Sequence, residues 1–159
     1  MIRSDLFDDI GYFDESFPAC EDYDFWLRVT AREKILFLDE PLTIKFGGHD
    51  DQLSKKYWGM DRFRVKALEK LILNHELNSK QKKVALKSLT SRLEIIVNGA
   101  KKRNNQNIEK ILQKKIVLNS LITRLEIIIN GAKKRNNQKI EKIFQKKINK
   151  WNLYKIENE

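Results

Sequence analysis

Apolar residues recur at helical spacing over residues 21–32, EDYDFWLRVTAR, where Phe25, Trp26, Leu27 and Val29 follow two adjacent carboxylates, Glu21 and Asp22. Pro18 lies just upstream, where a chain enters a helix rather than continues one. A short turn of helix is expected over 5–10, closed at Gly11. Beyond residue 33 the pattern changes. The runs ILFL at 35–38 and LTIKF at 42–46, separated by Asp39-Glu40-Pro41, read as two short strands. Gly47-Gly48 ends the second run and leads to His49, and Asp50 or Asp51 suits the cap of a helix over 52–73. Met60, Phe63, Ala67, Leu68 and Leu71 share one face of that helix. From Ser79 onward the strand pattern is absent and only helical spacing remains. The expected fold is therefore an α/β front part over 1–73 followed by an all-helical tail over 74–159.

The tail repeats itself. Residues 88–116, SLTSRLEIIVNGAKKRNNQNIEKILQKKI, return at 120–148 as SLITRLEIIINGAKKRNNQKIEKIFQKKI, with 24 of 29 positions identical. Each copy holds two helical patterns, and the first shows them at Leu89, Leu93, Ile96 and Ala100, then at Ile108, Ile111 and Leu112. Lys101-Lys102-Arg103 suits a helix C-terminus, and Asn104-Asn105 suits its cap. A period of about 32 is that of a helical solenoid, but two copies fall below the three or so that such arrays need. A tandem duplication of one tail segment is the simpler account. The copies should then share one local structure.

Charge sharpens the division. The 159 residues carry a net +10, but residues 1–73 hold 11 Lys/Arg against 15 Asp/Glu, a net −4, and residues 74–159 hold 21 against 7, a net +14. A tail of this sign suits nucleic acid, an anionic membrane face or plain solvation. Sequence-specific RNA binding calls for aromatic residues among the basic ones, and residues 74–149 offer Phe144 alone. Basic helices with Leu and Ile faces fit an anionic lipid surface better. The longest aliphatic runs, 95–97 and 127–129, are far short of a membrane span. A single cysteine, Cys20, excludes an internal disulfide and fits a reducing compartment. The N-terminus is acidic and lacks the apolar run of a signal peptide. The expected location is the cytoplasm, at or near the inner face of the membrane.

The candidate chemistry sits at 21–28. Helix-start carboxylates gain from the positive end of the dipole. Asp22 and Trp26 lie four apart, so a carboxylate stands beside an indole, as a base beside a sugar-stacking platform would. The same spacing also describes an ordinary helix with an acidic start and an apolar side. Asp24 and Arg28 are spaced to pair along the helix surface.

The blocks IGYFDESFPACEDYDFWLR and LDEPLTIKFGGHDDQLS together resemble the C-terminal part of family 2 glycosyltransferases of the GT-A fold, and the first is similar to the galactosyltransferase C-terminal module. The resemblance covers residues 1 to about 73 and extends loosely to the first tail copy. It implies a hexosyltransferase that moves a sugar, with inversion, from a nucleotide-sugar donor to a glycan or lipid-linked acceptor. It further implies that Asp22 is the base toward the acceptor hydroxyl, with Glu21 beside it. Trp26 and Arg28 would border the acceptor and diphosphate region. His49 would bind a divalent cation, Mn²⁺ or Mg²⁺, or the leaving diphosphate. A carboxylate that accepts a proton during attack makes a hydroxyl a competent nucleophile, and a cation eases departure of a diphosphate. Family members begin with a donor-binding half carrying an Asp-x-Asp motif. Nothing before Ile2 supplies it, and Asp22-Tyr23-Asp24 has the letters in the wrong element. The chain reads as the acceptor side of such an enzyme, inactive alone. The competing reading is a basic helical binding module without catalysis.

Overall fold

Gly11 adopts φ +84°, a backbone region that L side chains rarely enter, and it stops the first helix, α1 (Leu6–Ile10). The computed structural model describes residues 2–44, 46, 56–57 and 59–156, the last seven of them as backbone only. Five further helices follow among these residues: α2 (Glu21–Arg32), α3 (Asp61–Asn74), α4 (Ser79–Lys102), α5 (Gln106–Lys134) and α6 (Gln138–Ile156). They fall into two compact units, Met1–Gln81 and Lys82–Glu159, where the change of character in the sequence suggested a boundary at 73/74.

In the first unit, α2 packs against α3 and, over a smaller area, against α1. Phe25 on α2 is wholly buried and joins Ile10 and Val29, with Ile2, Leu6 and Phe7 around them. The ring of Phe7 stacks on Phe25 at 5.1 Å, and that of Phe13 meets it at 5.0 Å. From α3 come Val65, Ala67, Leu68 and Leu71, all buried. Three of these lie on or beside the face that apolar spacing marks out, and burial of Val65, Leu68 and Leu71 stabilises the unit by about 1.5–3 kcal/mol each.

Among the described residues no strand occurs, so the α/β front part is corrected to an all-helical one. Glu33 leaves α2 in an extended conformation. The described residues of 35–38 and 42–46 then run without regular structure, and Ile35, Leu36, Phe37, Leu38, Leu42, Ile44 and Phe46 are exposed. β-branched and aromatic residues favour a pleated, half-buried surface, but a strand is made by its neighbour. Without a partner to take its N–H and C=O groups and cover one face, the propensity has nothing to act on. Among the described residues the helix expected over 52–73 is interrupted before Asp61. Gly59 at φ +64° and the turn at Met60 precede α3, whereas 52–55 lie outside the described residues.

The second unit is built from the repeat. Copy one spans the end of α4 and the start of α5, and copy two spans the end of α5 and the start of α6. Lys82–Glu126 at 2.8 Å and Lys101–Glu109 at 3.8 Å join α4 to α5 in antiparallel register. Lys133–Glu141 at 3.6 Å closes the next hairpin. Both turns are the same. Asn104 and Asn136 take left-handed φ values of 55° and 53°. The amides of Asn105 and Asn137 reach back to the carbonyls of Ala100 and Ala132, each at 2.9 Å, which is the Schellman closure with Asn in place of Gly. The side chains of Asn105 and Asn137 then accept from the amides of Ile108 and Ile140, each at 3.2 Å, and so cap the following helix. Each Asn pair therefore ends one helix and begins the next. At Gly99 and Gly131 a Cβ would meet the guanidinium nitrogens of Arg103 and Arg135 at 3.2 Å and 3.3 Å, so both arginines fold back over their own helix.

Candidate active site at the start of the second helix

α2 begins after Cys20, which is itself left-handed at φ 64°. Its thiol donates to the Met60 carbonyl at 3.8 Å, and burial pushes its pKa above the ordinary value, so it stays protonated at neutral pH. Three carboxylates occupy the first turn: Glu21, Asp22 and Asp24. Their fates differ. Glu21 is half-buried and Asp22 exposed, while Asp24 is 2% exposed. Asp22 accepts from the amide of Tyr23 at 2.7 Å, which fixes one oxygen beside the helix start. One turn further on, Trp26 is 40% exposed and sets its ring at 71° to that of Phe25, 5.6 Å away. Phe13, 46% exposed, also meets Phe25, with ring centroids 5.0 Å apart. Two partly open rings thus contact one buried ring, and one of them, Trp26, lies one helical turn from an accessible carboxylate. Phe13 was not singled out in the sequence; the signal for it was its place in GYFDE, next to the turn at Gly11.

Arg28 does not lie on the surface. It is 8% exposed, and its pairing with Asp24 is a buried one, Nε to Oδ2 at 3.0 Å. Its other nitrogens donate to the carbonyls of Ile10 at 2.5 Å and Tyr12 at 2.7 Å. Gly11 makes this convergence possible, because its positive φ turns consecutive carbonyls toward one guanidinium. Lys70 from α3 completes the network, reaching Asp24 at 3.0 Å and Asp14 at 2.6 Å. The ammonium of Lys70, with Ser16 donating to the same carboxylate, holds Asp14 well below the usual carboxylate range. Asp14, Asp24, Arg28 and Lys70 therefore fasten the 10–14 turn, α2 and α3 together. Only the Asp24–Arg28 spacing was legible beforehand; Lys70 and Asp14 are 56 residues apart in sequence.

His49 lies outside the described residues. Among the described residues no group of three or more His, Cys, Asp or Glu is placed to hold a metal ion. His75, which has no motif around it, is half-buried at the end of α3. Burial lowers its pKa from 6.5, and Arg32, Arg28 and Lys70 lower it further, with Asp24 opposing. An unfolded chain then takes up a proton below about pH 6.5 that the folded His75 refuses, so stability falls as pH drops through this range. Asp14 acts lower: its depressed pKa contributes stability that is complete above the ordinary carboxylate value of 3.8 and is lost only as pH falls below it. The melting temperature of the chain should therefore decline between pH 7.5 and 5, and His75→Gln should flatten that decline. An unchanged slope in the variant would remove His75 as its source.

No helix among the described residues is long and apolar enough to cross a membrane. No family model matches the chain, and no solved structure matches it. A stretch of 56 residues, 35% of the chain, is 39% identical to a Rickettsia felis protein named as an uncharacterized glycosyltransferase. The match spans 9% of that protein's length. This similarity relates part of the chain to a glycosyltransferase.

Proposed function

We propose that the first unit is the acceptor-side part of a glycosyltransferase. The observation that carries this reading is an accessible Asp22 at a helix start, one turn from an open Trp26 ring, in a chain partly similar to a glycosyltransferase. In the complete reaction the Asp22 carboxylate takes the proton of the acceptor hydroxyl as its oxygen attacks the anomeric carbon. The new glycosidic bond forms as the bond to the nucleoside diphosphate breaks, and the configuration inverts. Trp26 and Phe13 offer apolar faces on which a sugar ring stacks. Glu21 sits beside Asp22 and orients its surroundings. Arg28, bound to Asp24 and to backbone carbonyls, is better placed to position α2 than to touch a substrate. A Mn²⁺ or Mg²⁺ ion would screen the leaving diphosphate; the described residues supply no ligand set for it. The setting that suits this reading is the cytoplasm, where nucleotide sugars are available.

Acceptor binding tests the reading on the chain as it stands. Titration with neutral hexose oligosaccharides should give a saturable change in tryptophan emission. Trp26→Ala should abolish it, and Asp22→Asn should leave it largely intact. No saturable response in the unaltered chain, across a panel of such oligosaccharides, would count against an acceptor site here.

A further inference from the structure

The second helix of the repeat unit presents a face that the glycosyltransferase reading does not use. On α5, Lys110, Lys114, Val117, Leu121, Arg124 and Ile128 are spaced alternately four and three apart, which puts them in one row along the helix. All six are exposed, with Val117 at 58%, Leu121 at 38% and Ile128 at 40%. The row therefore combines three cations with three open aliphatic side chains over about 27 Å. It contains no carboxylate. The two acids of α5 point elsewhere: Glu109 is bridged to Lys101, and Glu126 to Lys82.

The row exists because two copies of the repeat are fused within one helix. Lys110 and Lys114 belong to copy one, whereas Leu121, Arg124 and Ile128 belong to copy two. In copy one the counterparts of the latter aliphatics are covered: Leu89, equivalent to Leu121, is wholly buried, and Ile96, equivalent to Ile128, is 9% exposed. The duplication has opened in α5 what the first copy keeps closed in α4.

We propose that this face of α5 docks on an anionic lipid bilayer. Lys110, Lys114 and Arg124 meet the lipid phosphates, and Val117, Leu121 and Ile128 enter the boundary between headgroups and acyl chains. Charge selects this occupant over the others. A second copy of the chain would set like charges against each other along the row. A nucleic acid would satisfy the cations but leave three aliphatic side chains without a dry surface, and the row carries no aromatic ring on which a base would stack. The proposal is independent of the glycosyltransferase reading.

Flotation of the full chain with large unilamellar vesicles tests it. At 100 mM salt the chain should float with vesicles of 70% phosphatidylcholine and 30% phosphatidylglycerol and stay behind with phosphatidylcholine alone. The triple variant Lys110→Gln, Lys114→Gln, Arg124→Gln should lower partitioning on the order of 100-fold, since each basic residue near such a surface contributes about fivefold. A control triple on α4, Lys80→Gln, Lys83→Gln, Lys87→Gln, removes the same charge and should bind much more strongly than the first triple. The pair Leu121→Ser, Ile128→Ser keeps every charge and should also weaken flotation. Far-ultraviolet circular dichroism identifies any variant that has unfolded, and salt titration of the unaltered chain gives a reading that needs no variant. Equal binding to both vesicle types, equal loss in both triples, or self-association that buries this face in solution would each overturn the proposal. So would double-stranded RNA displacing the chain from vesicles with undiminished affinity for the Leu121→Ser, Ile128→Ser pair.

Discussion

Asp22→Asn should reduce turnover on the order of 100-fold or more in a protein that joins residues 1–159 to a complete donor-binding domain of a glycosyltransferase. The substitution keeps the shape of the side chain and removes the charge that accepts a proton. Asp22 is exposed and uses one oxygen to receive the Tyr23 amide, which leaves its second oxygen for the acceptor hydroxyl that the proposed role requires. Donor binding should change little, because the loss belongs to the transition state. Glu21→Gln should cost less, since Glu21 is half-buried beside Asp22. The rival account treats Asp22 as one of three acids stabilising a helix start, where each contributes about 0.3–1 kcal/mol. Under that account Asp22→Asn lowers the melting temperature slightly and leaves turnover in place. Steady-state kinetics with thermal denaturation of the same variant separates the two, and full activity in a folded Asp22→Asn protein ends the assignment.

Arg28→Ala should destabilise the first unit by about 3 kcal/mol, at the lower end of what breaking a buried ion pair costs. Three consequences add. Asp24, 2% exposed, keeps Lys70 but loses its other cation, the Arg28 guanidinium on α2. The carbonyls of Ile10 and Tyr12 lose their donor. The turn at Gly11 loses its Arg28 tie to α2 and keeps the Lys70–Asp14 pair to α3. Arg28→Lys should recover only part of the loss, because an ammonium on a flexible stem cannot repeat the fork that spans a carboxylate and two carbonyls. If Arg28 instead met the diphosphate, as the resemblance implied, Arg28→Ala would weaken ligand binding and leave stability near that of an ordinary surface change, within about 0.5 kcal/mol. Chemical denaturation of the variant, followed through tryptophan emission, distinguishes these outcomes.

The sequence determined what depends on near neighbours. The 3.6-residue period placed α2 over Glu21–Arg32, the bounds expected from EDYDFWLRVTAR. The Asn-Asn pairs encoded both turns of the tail, because capping and left-handed closure involve only groups a few residues apart. Gly11 marked the end of α1 for the same reason. Of the candidate site, Asp22 and Trp26 could be placed on one face from their spacing alone.

Tertiary structure decided what depends on distant partners. The runs at 35–38 and 42–46 had the composition of strands, yet a strand needs a second one, and the described residues supply none. Arg28 had the spacing of a surface pair, and the carbonyls of the 10–12 turn together with Lys70 from α3 drew it inside. The repeat states the difference most directly. Leu89 and Leu121 occupy equivalent positions in nearly identical sequence, one in α4 and the other in α5, yet one is 0% and the other 38% exposed. Ala100 and Ala132, next to the turns, are 0% exposed in both copies. Local hydrogen bonds close the turns and bring the hairpin helices together there, so burial near a turn follows from sequence. Burial further along follows from whichever surface lies opposite, and no residue carries that information about itself.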